Sequence, residues 1–120
     1  MKALLALALL AALVAGCSGS SPAGPVTPQK DTAGHYVIHM MTSNLFSPKD
    51  AAVPAGSNVT WVHDGGAAHN VVDMGGSFTS DDLGHPITAG QSYTHKFDTA
   101  GVYHYHCAFH TGMEATLTVA

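Results

Sequence analysis

From residue 35 to the end, apolar and polar residues alternate in short runs that Gly, Pro, Asn or Asp interrupts every few positions. A sustained three-to-four spacing of apolar residues, the mark of an amphipathic helix, is absent, so the pattern predicts strands. They fall at 35–42, 51–53, 58–63, 69–73, 91–97, 102–107 and 114–119. Pro54-Ala55-Gly56-Ser57 and Thr99-Ala100-Gly101 read as turns, and 74–89, with Gly75, Gly76, Asp81, Asp82, Gly84 and Pro86, as a long loop with room for one helical turn. Alternation also assigns faces. Tyr103, Tyr105 and Cys107 share one side of their strand with His104 and His106 on the other, and Val59, Trp61 and His63 share a side of theirs. Seven or eight short strands in such a length predict an all-β fold, a Greek-key β-sandwich.

The first residues follow a different rule. Lys2 precedes an unbroken apolar run over 3–15, too short to cross a bilayer as a helix and of the length of a secretory signal. Leu13-Val14-Ala15-Gly16-Cys17 resembles a bacterial lipobox, which implies cleavage before Cys17 and lipid on its sulfur. Residues 1–16 are thus expected to be a lipoprotein-type signal peptide. The Gly/Ser/Pro-rich stretch that follows is too poor in apolar side chains to offset its ordering entropy, so 17–33 is expected as a flexible, lipid-anchored linker and 34–120 as one small domain. The mature protein would be exported, on the periplasmic or cell-surface side, tethered to the membrane, and monomeric.

Charge and cysteine count narrow its chemistry. Loss of Lys2 with the leader leaves three Lys, no Arg and eight acidic residues, a net charge of −5 with His neutral. No basic patch remains for nucleic acid. If Cys17 is acylated, Cys107 is an unpaired thiol in an oxidising compartment, and metal ligation is a reason to keep one.

Cys107, His110 and Met113 stand three residues apart at the end of an alternating run. Thiolate with imidazole and a weak thioether is the donor set of a blue-copper electron-transfer site, which needs one further imidazole. His69, after Gly65-Gly66-Ala67-Ala68 and before Val71-Val72, is the best candidate. A lone C-x-x-H would also fit a thiol nucleophile with its base, or half a zinc site.

His69-Asn70 followed by Tyr103-x-Tyr105-x-Cys107-x-x-His110-x-x-Met113 resembles the plastocyanin/azurin family of cupredoxins, over about residues 35–120. The two-residue gap between His110 and Met113 is closer to amicyanin. The resemblance implies the cupredoxin fold, one copper ion cycling between Cu(I) and Cu(II), and ligands His69, Cys107, His110 and Met113. It implies too that Asn70 ties the His69 loop to the Cys107 loop. Phe109 stands where the family usually has Pro, which brings an N–H toward the Cys107 sulfur and a ring that shields the metal. His63 stands where relatives often have Asn.

The remaining histidines and methionines are expected to be plain. His35, His39, His85 and His95 read as solvated, and His104 and His106 as an exposed strand face whose i, i+2 spacing leaves a second metal open. One of Met40 and Met41 belongs in the core, and Met74 packs. One-electron transfer through the edge of His110 is the leading function, and the chain is not expected to be an enzyme. Copper carriage or storage is the alternative, and a Cys107–His110 thiol enzyme, without evident oxyanion donors, comes last. Partners by class are a cytochrome, a multicopper enzyme or a respiratory complex, meeting an apolar patch of Ala67, Ala68, Phe109 and Gly112.

Overall fold

Trp61 is fully buried, and the two sheets of the fold close around it. The structure, a computed structural model, describes residues 24–80 and 85–120. The signal peptide expected over 1–16 and Cys17 lie outside these. Eight strands form: β1 (Tyr36–Met40), β2 (Phe46–Ser47), β3 (Asp50–Val53), β4 (Ser57–His63), β5 (Val72–Asp73), β6 (Ser92–Phe97), β7 (Gly101–His106) and β8 (Glu114–Val119). They pair as two four-stranded sheets, β2-β1-β4-β6 and β3-β8-β7-β5. The all-β sandwich expected from alternation is the fold, and no helix occurs among the described residues.

Each sheet contains one parallel pair, β1 with β4 and β3 with β8, so the chain crosses between sheets rather than meandering within one. The inner faces follow the period of two. Val59 and Trp61 on β4, Tyr105 on β7, and Ala115, Leu117 and Val119 on β8 are all buried. Trp61 stacks on Phe78 and Tyr93 (centroids 5.7 and 5.6 Å apart) and meets the edge of Tyr105 at 5.5 Å. Met40, the last residue of β1, is buried, while Met41, the first of the loop after it, is exposed.

Several expectations give way to longer-range contacts. His95, expected in solvent, is half-buried on the inner side of β6, stacked on Phe78 at 5.2 Å and edge-on to Phe97 at 4.8 Å. Met74, expected to pack, is 52% exposed. Of the strand expected over 69–73, only Val72–Asp73 joins a ladder; His69 makes a single bridge to Ile87.

The stretch expected as linker is attached to the sandwich from Val26 onward. Val26 bridges Ala51 in parallel, Lys30 bridges Tyr36, and Val37 N–H donates to the Gln29 carbonyl at 2.8 Å. Pro28 is buried, and the Lys30 ammonium sits 4.7 Å from the Tyr36 ring centroid. Main-chain pairing does this work, and composition does not reveal it.

Candidate metal centre

Three loops meet beyond the ends of β1, β4 and β7. The loop after β7 is closed by Cys107 N–H donating to the Met113 carbonyl at 2.9 Å and Met113 N–H to the His110 carbonyl at 3.2 Å. Gly112 takes the left-handed φ of 83° that this turn requires, at no steric cost. Across from it, the loop after β4 carries Gly66 at φ 84°, where a Cβ would lie 3.5 Å from the backbone of Thr42 in the loop after β1, so the loops after β1 and β4 lie close.

This arrangement gathers His69, Cys107 and His110. Cys107 Sγ lies 3.4 Å from His110 Nδ1 and 3.8 Å from His69 Nδ1, and the two Nδ1 atoms are 3.2 Å apart. The point in their plane equidistant from all three is ~2.0 Å from each, a metal–imidazole bond length and within a few tenths of an ångström of the ~2.3 Å of a metal–thiolate bond. Among the described residues this is the cluster of three His, Cys or acidic side chains whose donor atoms converge. His69 and Cys107 are buried, and His110 is half-exposed at the rim. Met113 is 1% exposed, beneath the same loop.

Burial, and then the neighbouring His63 and His110, hold the His69 imidazole below its ordinary pKa, against a small opposing pull from the Met41 carbonyl. The neutral ring is the form that binds a metal. Two imidazoles and a thiolate in one plane fit copper or zinc, and the buried thioether residue in the loop shifts the set toward copper.

The surroundings brace this geometry. Asn70, 2% exposed, accepts the Ala108 N–H on Oδ1 at 2.7 Å and so joins the His69 segment to the residue after Cys107. His63 is a bracing residue that sequence reasoning left without a role. Its Nε2–H donates to the Ala67 carbonyl at 2.7 Å, and its Nδ1 accepts the Gly65 N–H at 3.0 Å. That pairing sets a neutral tautomer, and the ring stacks on His69 at 4.8 Å. Its place on the inner face of β4 was the available signal.

Phe109 differs from expectation. No hydrogen bond forms between its N–H and the Cys107 sulfur among the described residues, and its ring is 50% exposed, because the tight turn points residue 109 outward. Ala67 and Gly112 are also exposed there, with Ala68 half-buried. Met41 and Leu45, at 37% and 49%, add to this apolar rim from the loop after β1. His104, exposed on the outer face of β7, pairs its Nδ1 with Thr116 Oγ1 at 3.1 Å, while His106, expected exposed, is half-buried; among the described residues no second convergent donor set includes either.

Comparison with known proteins agrees with this picture. Residues 37–120 match the family model described as copper binding proteins, plastocyanin/azurin family. Plastocyanin of Scenedesmus fuscus is 38% identical over 84 residues, which cover 62% of this chain and 86% of that protein. Amicyanin-alpha of Methylorubrum extorquens is 32% identical over 75 residues, 62% of this chain and 63% of that protein. A Cu(I) structure of an amicyanin variant superposes with a TM-score of 0.65 at 26% identity, covering 82% of this chain and 95% of the other.

Proposed function

Because the chain belongs to the plastocyanin/azurin family of copper-binding proteins, whose members are blue-copper electron carriers, we propose that His69 Nδ1, Cys107 Sγ and His110 Nδ1 would hold its one copper ion, with the Met113 thioether as a weak fourth ligand. The observation that carries this reading is the convergence of those three donor atoms on one point. When bound, the metal supplies a one-electron couple. The chain's own part is to keep the His69 imidazole neutral, to exclude water around His69 and Cys107, and to fix the three donors on braced loops so that little moves between oxidation states.

His110, the ligand at the rim, is the exit for the electron, and the apolar surround of Ala67, Phe109, Met41 and Leu45 is where a partner docks. Such encounters are small and transient, and an acidic carrier favours a partner with a basic docking surface. The redox partner is a cytochrome, a multicopper enzyme or a respiratory complex, and the protein acts as a monomeric carrier rather than an enzyme. A lipoprotein-type signal peptide over 1–16 and acylation of Cys17 would export it to the periplasmic or cell-surface side and tether it to a membrane.

One equivalent of Cu(II) should give an intense blue thiolate-to-copper band that bleaches on one-electron reduction, returns on oxidation and survives dialysis. Cys107→Ser should remove it. A colourless protein that exchanges Cu(I) freely with a chelator would favour copper carriage instead.

A further inference from the structure

The residue after β5 is an exposed methionine, and the strand register places it opposite a histidine. Pairing of β5 with β7 sets Val72 against His106 and Asp73 against Tyr105, so the next step sets Met74 against His104. Met74 N–H donates to the His104 carbonyl at 2.8 Å, which carries the pairing past the end of β5. Residues directly opposite in an antiparallel pair point to the same face, with Cβ atoms about 4.5–5.5 Å apart. That face is the outer one. Met74 and His104 are both exposed and line one groove of about 190 Å³ with Lys49, Glu114 and Thr116.

Their donors suit one kind of ion. His104 Nδ1 meets Thr116 Oγ1 at 3.1 Å. With Nδ1–H donating to that hydroxyl, the ring is held in one tautomer and Nε2 keeps its lone pair, the arrangement that ligating histidines share. The Met74 side chain is unbranched and flexible, and so can bring its sulfur across to the facing ring. A triad of imidazole, thiol or carboxylate donors is absent from this face among the described residues, whereas thioether with imidazole is a soft pair that suits Cu(I) and is poor for Mg²⁺ or Ca²⁺. Lys49 and Glu114 bring opposite charges to the groove, so a monovalent cation meets no net repulsion there. Met41, the other exposed methionine among the described residues, has no such neighbour; its N–H pairs with the carbonyl of Leu45 at 2.9 Å.

We infer that Met74 Sδ and His104 Nε2 form a second, surface site that binds Cu(I) as an exchangeable ion, separate from the copper centre proposed above. His104 stands three residues before Cys107 and on the opposite face of the strand, about 10 Å away at the usual rise. Cu(I) accepts two donors, and its open positions let an incoming ligand take it away. Cu(II), which prefers a tetragonal set of nitrogen and oxygen donors, finds too few.

The test uses the full chain, copper-loaded and reduced under argon, so that the first centre is filled before a second equivalent of Cu(I) is added as its acetonitrile complex. A sample oxidised before that addition checks the first centre; absence of the blue band rejects that centre alone, since the groove has its own readout. In NMR spectra the Met74 methyl and His104 ring signals should shift with the second equivalent while the Met41 methyl stays. In competition with a Cu(I) chelator, Met74→Leu and His104→Gln should each hold the second ion about tenfold or more less tightly, and Thr116→Val, which frees the ring, about tenfold less tightly. The blue band should persist in these variants. Met41→Leu should hold the second ion as the wild type does. A second equivalent that shifts Met41 and not Met74, or that wild type and Met74→Leu hold equally, overturns the site. Wild-type affinity in His104→Gln overturns it too, and wild-type affinity in Thr116→Val overturns the orienting role of that hydroxyl.

Discussion

At the scale of single residues, the centre depends on side chains that bind nothing themselves. Asn70 supplies a side-chain link between the two ligand-bearing segments that does not use a ligand atom, through the Ala108 N–H. Asn70→Ala should cost about 1–2 kcal/mol in denaturant unfolding of the metal-free protein and speed copper loss to a chelator. Unchanged stability and release would mean that the bond does not brace the site. Cys107 and His110, whose donor atoms meet in one cluster, were legible because a metal loop is local in sequence and its donors are chemically distinctive. His69 needed a guess about which distant histidine returns. His63 stayed hidden, because its two hydrogen bonds depend on how the loop of Gly65 and Gly66 folds back. The expected Phe109 N–H contact failed for the same reason, since spacing gives reach and not direction.

Among the elements, alternation located seven strands and missed β2, whose two residues carry no period. The sandwich has an open side between β6 and β5, and the segment after β5 closes it with one side chain. Phe78, 5% exposed, contacts Trp61, His95, Phe97, Tyr103 and Tyr105. It lies in a Gly-rich stretch where no period could mark it as core. Its polar neighbour His95 was misread because residue type outweighed position on the inner face. Phe78→Ala should destabilise by about 3–4 kcal/mol while the blue band persists, since it touches no donor. Lost colour with intact stability would contradict the division between core and site. The attachment at Val26 was likewise invisible, being held by main-chain bonds in a Pro/Gly/Ser segment.

For the molecule as a whole, folding and metal readiness are linked through His69. Its pKa is depressed in the folded state, so the unfolded chain binds a proton there more readily. The corresponding stability is complete above the ordinary value of 6.5 and is lost as pH falls from there through the folded pKa. The Tm of the metal-free protein should therefore drop on acidification below that value, and His69→Leu should show a shallower drop. Parallel curves would contradict the assignment. Copper competes with the same proton and should flatten the wild-type curve.

X-ray absorption at the copper edge of the loaded protein, in both oxidation states, tests the central assignment most directly. Two nitrogen and one short sulfur scatterers should surround the metal at ~2.0–2.3 Å, with little change on reduction. A shell without sulfur, or one that rearranges between states, would contradict a His69, Cys107 and His110 centre built for electron transfer.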